Sequence, residues 1–148
     1  MTQAHEPPGL PASIAERLGP LLGRAHESHR RLAASRLAGI GLEPKEFGTL
    51  SVLAEEGPLT QQQLGRRTGI DRTTMVAIAD ALEEKGLATR QRRPSDRRAY
   101  DLGVTAQGRR VLRRATRAAG RAEDDFLAPL HPRERTQLKS MLRRLISS

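Results

Sequence analysis

The side chains best suited to chemistry are arginines and small hydroxyl or apolar groups gathered in the middle of the chain. Arg72, Thr73, Thr74, Val76 and Ala77 follow one another closely, and Arg90, Arg92, Arg93, Arg97 and Arg98 crowd a short segment with Ser95 and Asp96. A guanidinium fork pairs with phosphate and with the guanine edge, a threonine hydroxyl bonds to base edges, and a small apolar side chain accepts a thymine methyl. The implied chemistry is recognition of a polyanion, not bond making. No serine sits in a nucleophile-elbow setting, no glycine-rich loop could cradle phosphates, and no carboxylate pair falls in an apolar context, so an enzyme is not expected.

Other donors are scarce. Cysteine is absent, which excludes disulfides, thiol redox sensing and Cys-ligated zinc. His26 and His29 lie three apart, a spacing that puts two imidazoles on one side of a helix. Only His5 and His131 could join them, whereas structural zinc takes four ligands. We therefore read the pair as a solvent or interface feature, or else as a polar wall of a ligand pocket; no metal and no cofactor is expected.

Charge agrees with a polyanionic partner. The 148 residues carry 26 Lys+Arg against 17 Asp+Glu, a net charge of +9, and only Lys45, Lys85 and Lys139 are lysine. Hydrophobic residues make up 36 %, low for a self-sufficient globule, but they recur at helical spacing. Long helices with one apolar stripe need a surface to pack on, so part of the core is expected between subunits. No apolar run is long enough to span a bilayer, and the N-terminus lacks signal-peptide order; a cytoplasmic protein is expected.

The elements that must position these residues follow from caps and periods. Residues 1–12, with three prolines, read as a flexible arm. A short turn is expected next, then a first helix from Pro20 to Leu37 and a second from Pro44, closed by Gly57-Pro58. Thr60-Gln61-Gln62-Gln63 is a capping box opening a short third helix that stops at Thr68-Gly69. Asp71 caps a fourth, Arg72 to Lys85. The period then changes: 87–92 and 99–102 read as strands joined by a polar turn over 93–97. Thr105 caps a long fifth helix over 106–127, and Pro132 opens a sixth.

Two short helices with a glycine turn form a helix-turn-helix, whose second helix enters the major groove. Thr60 and Gln61, at a helix start, are placed to meet the DNA backbone. A basic hairpin directly afterwards is a wing able to press an arginine into the minor groove. Asp96 is expected to hold a neighbouring arginine by a bidentate pair.

The stretch from Gly41 to Leu112 resembles the MarR family (multiple antibiotic resistance regulators). Its most specific element is Asp96-Arg97-Arg98, similar to the family's D-x-R wing motif, followed by Val104-Thr105-Ala106-Gln107-Gly108. The resemblance implies a mainly α winged helix-turn-helix of six helices with a small antiparallel wing. It also implies a homodimer whose N-terminal and two C-terminal helices intertwine, bound to a pseudo-palindromic operator in double-stranded DNA. Arg98 becomes the minor-groove candidate. A small-molecule effector between DNA-binding and dimerisation lobes is a further implication. Residues 13–40 would be the N-terminal dimerisation helix, 41–104 the DNA-binding region and 105–148 the C-terminal dimerisation helices.

Glu43 and His131 stand where Ser or Thr commonly cap, and weaker caps are expected there. Arg109, Arg110, Arg113, Arg114, Arg117 and Arg121 line the long helix. We read them as spread over more than one face and solvated, with Glu123, Asp124 and Asp125 as counter-charges and a few able to reach flanking phosphates. The rival reading is a basic winged-helix module for RNA or a protein partner, without an operator. Sequence-specific RNA binding leans on exposed aromatics, and Phe47, Tyr100 and Phe126 are the only ones here.

Overall fold

A computed structural model describes residues 9–147; most of the expected arm, with His5, lies outside them. In chain order the elements are α1 (Ala12–Ala15), α2 (Leu18–Ala38), α3 (Pro44–Glu56), α4 (Gln61–Thr68), α5 (Arg72–Glu84), β1 (Ala88–Arg93), β2 (Asp96–Val104), α6 (Ala106–Leu127) and α7 (Pro132–Ile146). The fold is the expected winged helix-turn-helix, with seven helices among the described residues rather than six. The additional one is the single turn α1, which replaces the expected turn before α2. Helix α2 begins at Leu18, two residues before the expected start. Pro20 then falls in the first turn, where a missing N–H leaves no bond unmade.

Two caps are better than their residue types promise. The Glu46 carboxylate accepts the Glu43 N–H at 2.9 Å, and Glu134 accepts the His131 N–H at 2.7 Å while His131 Nδ1 accepts from the Arg133 N–H at 3.4 Å. A glutamate at the third helical position thus satisfies the backbone where Ser or Thr is missing.

The wing is longer and its turn tighter than expected. Strands β1 and β2 pair antiparallel from Ala88↔Val104 to Arg92↔Tyr100, then shift register to Arg93↔Asp96, leaving Pro94-Ser95 as the turn. Leu59, just before α4, adds a third short rung, exchanging both backbone hydrogen bonds with Leu102 at 3.1 and 2.8 Å. The wing is thereby tied to the helix-turn-helix.

One core unites the end of α2, α3, α4, α5, the wing base and α6: Leu37, Leu42, Leu50, Leu53, Leu64, Met75, Ile78, Ala79, Leu82, Leu87, Ala88, Leu102 and Ala115 are buried together. Helix α6 enters through Thr105, whose hydroxyl accepts the Gly108 N–H at 2.9 Å and donates to the Gly86 carbonyl at 2.7 Å. A Cβ at Gly108 would lie 2.0 Å from the Leu87 carbonyl oxygen, so only glycine allows this approach. Farther along, Ala115, Ala118 and Ala122 let α6 lie close against α2.

The termini differ. Helix α7 buries no residue, and Leu10, Ile14, Leu18, Leu21 and Leu22 at one end with Met141 and Ile146 at the other are exposed, Ile146 by 81 %. Among the described residues no helix is long and apolar enough to cross a membrane.

Candidate nucleic-acid interface

Helix α4 opens on the capping box: the Thr60 N–H donates to Gln63 Oε1 at 2.9 Å, and the Gln63 N–H donates to Thr60 Oγ at 3.1 Å. Both Thr60 groups are engaged in the cap, which leaves the first-turn amides of α4 as the local donors for an anion. Helix α4 closes on Gly69, whose left-handed backbone (φ 70°) lets the chain swing into Asp71 and α5.

Asp71 caps α5 with both oxygens, accepting the Thr74 N–H at 2.9 Å and the Thr74 hydroxyl at 2.6 Å. The bond from the Thr74 hydroxyl, then that from its N–H, holds the Asp71 carboxyl below the usual carboxylate range. Thr74 is therefore half-buried and occupied by the cap. Arg72, Thr73, Val76 and Ala77 face solvent, opposite the buried Met75, Ile78, Ala79 and Leu82. Of the five candidates on this helix, four form an open surface and one supports it.

The wing candidates also divide. Arg93 turns inward: its Nε donates to both oxygens of Asp101, at 3.0 and 3.3 Å, and Nη2 to Gln63 Oε1 at 3.4 Å. Arg92 lies over the Tyr100 ring, 6.0 Å from its centroid. Ser95, Asp96, Arg97 and Arg98 are exposed at the tip. Asp96 does not form the expected pair with an arginine; its carboxylate accepts the Arg98 backbone N–H at 2.9 Å. The tip is short enough that bonding the backbone two residues on, an Asx-type turn, is the nearer option.

The structure adds clamps that the sequence does not announce. Arg90 of β1 bridges to Asp80 of α5 at 2.5 Å and to Glu83 of α5, with its backbone N–H also on Glu83 at 3.2 Å. The bond to Asp80 leads in raising the Arg90 pKa. Lys85, just past α5, donates to both Glu46 oxygens at 2.9 and 2.7 Å and to the Gly41 carbonyl at 2.9 Å. Together these clamps fix the wing to α5 and α5 to the start of α3. Between α4, the start of α5 and β2 lies an open cleft of about 770 Å³, whose rim includes Gln61, Gln62, Arg66, Arg72, Arg90 and Tyr100. Its position between helix and hairpin could have been found only from the topology.

His26 is exposed, and His29 is half-buried, its ring edge-on to Phe126 at 5.5 Å and 76°. The two do not gather further ligands: among the described residues no group of three His, Cys, Asp or Glu side chains could hold a metal.

The model of the MarR family matches residues 40–99, the span from the α2–α3 junction to the wing. A Thauera aromatica protein named as a transcriptional regulatory protein for the hcr operon is 37 % identical over 134 residues, covering 90 % of this chain and 81 % of that one. The chain belongs to the MarR family. This MarR regulator is also similar to the repressor CouR, solved on a 23-mer DNA duplex, at 34 % identity and TM-score 0.84 over 93 % of this chain and 99 % of that one. It resembles PcaV of Streptomyces coelicolor in complex with its natural ligand at 28 % identity and TM-score 0.74, over 95 % and 99 % of the two chains. The regulator is thus a transcription factor and not an enzyme.

Proposed function

We propose that two copies of this MarR regulator bind one pseudo-palindromic stretch of duplex DNA, each laying α5 in a major groove and its wing tip in the adjoining minor groove. The observation that carries the reading is the shape of the interface. An exposed Arg72–Thr73–Val76–Ala77 surface and an exposed Ser95–Arg98 tip stand on the two elements, α5 and the wing, that line one open cleft of about 770 Å³, whose Gln61, Arg66 and Arg72 side chains suit a phosphate strand. Arg98 is the side chain for the minor groove, with Asp96 setting the backbone it stands on. Arg92 and Arg97 would take flanking phosphates, whereas Arg93, Thr60 and Thr74 act by holding the frame.

Dimerisation is supported by the apolar side chains of α1, α2 and α7 that this chain leaves exposed, which would place 13–40 and 105–148 in a shared lobe. Two α5 helices in successive major grooves would lie ~34 Å apart. The likeness to PcaV supports a small-molecule effector seated between the lobes, with His29 and His26 near its wall, that alters this spacing. Since Lys85 ties α5 to the α2–α3 junction, a shift of α2 would be passed to the recognition helix.

The test is Arg98→Ala on an operator found by genomic footprinting. Specific affinity should fall by ~1–3 kcal/mol with the melting temperature unchanged. Wild-type affinity in that variant would contradict the wing contact.

A further inference from the structure

The reading above leaves the outer side of α6 without a task. Arg109, Arg110, Arg113, Arg114, Arg117 and Arg121 do not spread around this helix, as their pairing along the sequence suggests. At 3.6 residues per turn they fall within roughly 140° of its circumference. All six are exposed, opposite the buried Gly108, Ala115, Ala118 and Ala122. Nor do the acidic residues that follow neutralise them. Glu123 is bound to Lys139, and Asp125 to Arg36 at 2.5 Å, while Asp124 merely marks the far end of the face. Among the described residues none of the six has a carboxylate within ion-pair distance, and one alone makes a side-chain hydrogen bond, Arg109 to the Ala54 carbonyl at 3.4 Å.

Such a face costs the helix stability. Arg109–Arg113, Arg110–Arg114, Arg113–Arg117 and Arg117–Arg121 are like charges one turn apart, each repelling the next. An external polyanion would relieve that repulsion. The chemistry narrows its class. The face carries no large exposed apolar side chain and no aromatic; Tyr100 is on the wing, and Phe47 and Phe126 are half-buried. A folded protein partner would find no anchor there, and single-stranded RNA no stacking platform. A second copy of the chain is expected to meet the uncovered apolar side chains of α1, α2 and α7, and six unpaired arginines facing a chain of net +9 would add only repulsion. Six guanidinium forks along about 18 Å of rigid rod suit an array of phosphates, which duplex DNA presents at one charge per ≈ 1.7 Å of axis.

We propose that the α6 arginine face is a second, sequence-independent surface for the phosphates of duplex DNA, separate from the operator-reading surface of α5 and the wing. It rests on the duplex-binding reading above only in sharing a polymer with it, and its occupant is the DNA that flanks the operator. The face begins at the base of the wing, directly after β2, so a duplex longer than the operator is the natural occupant.

The experiment measures binding of a random 40-base-pair duplex across a salt series, using the full-length dimer. Three proteins are compared: wild type, R113Q/R117Q/R121Q and R113K/R117K/R121K. The glutamine variant should bind about tenfold more weakly, or weaker still, at 0.1 M salt. Its log–log salt slope should fall by about 2–3, close to 0.9 for each phosphate no longer neutralised. The lysine variant should keep most of the slope, and neither substitution should lower the melting temperature, since repulsion is removed or unchanged. A slope and affinity equal to wild type in the glutamine variant would overturn the proposal. If Arg98→Ala at the same time abolishes operator preference, the operator reading survives that failure. A reduced slope in the glutamine variant with no operator protected anywhere in the genome would uphold the α6 face and sink the operator reading. No duplex binding at any salt would overturn both.

Discussion

The winged-helix lobe and the terminal helices are built on opposite principles. In the lobe, Leu50, Leu53, Leu64 and Leu82 are wholly buried by neighbours from the same chain, and ion pairs from Arg90 and Lys85 tie its elements together. In the terminal helices, Leu18, Leu21, Leu22, Met141 and Ile146 are left uncovered by their own chain, and α7 is held to α6 by a surface pair, Lys139 with Glu123. The lobe is finished by its own chain; the terminal region leaves its apolar side chains uncovered. On the proposed function, two reading heads whose spacing changes would need this division, with rigid heads and a shared, adjustable base.

The contrast can be broken most forcefully from the lobe side. Leu64→Ala empties a fully buried site at the junction of α4 and α5 and should cost ~2–5 kcal/mol in urea unfolding. Ile146→Glu, by comparison, changes a side chain exposed by 81 %. It should leave the lobe's secondary structure intact while moving the sedimentation coefficient toward that of a single chain. Equal loss of fold in the two variants would erase the distinction. Next in size is Gly108→Ala, which forces a methyl onto the Leu87 carbonyl where α6 leaves the lobe. A cost of ~1–3 kcal/mol is expected from overpacking, measured by thermal melting.

The smallest effect is acidic. Bonds from Thr74 lower the folded pKa of Asp71, so its stabilising cap on α5 is fully present above the unfolded carboxylate pKa. It is lost as pH falls through the lowered folded value. Melting curves between neutral and strongly acid pH should therefore show a shallower acid loss in Asp71→Asn than in wild type. Parallel curves would show that the cap does not couple to protons.

Much of the lobe is legible in the sequence because local chemistry decides it. Thr60 with Gln63, Asp71 with Thr74, Thr105 with Gly108 and the turn at Gly69 are each determined within a few residues. The same holds for the wing's existence, though Asp96 bonds the Arg98 backbone instead of an arginine side chain. What escapes is long-range. Lys85 with Glu46, Arg93 with Asp101 and Arg90 with Asp80 join positions whose proximity exists only once the helices have packed. An arginine-rich sequence offers many such pairings, and composition cannot choose among them. By sequence alone Arg93 belongs with the tip residues, although it faces inward. The α6 arginines are a different case: their spacing already holds the single face, and the adjacent acidic residues suggest a neutralisation that Lys139 and Arg36 pre-empt.

The central claim is that paired lobes read one duplex from one side. Hydroxyl-radical footprinting combined with sedimentation of the operator complex tests it most directly. The account predicts two chains per duplex, with two protected clusters centred one helical turn, ~10–10.5 base pairs, or a whole multiple of it apart. Protection would weaken at the minor-groove positions in Arg98→Ala. A single chain per duplex, or protected clusters on opposite faces of the helix, would contradict it.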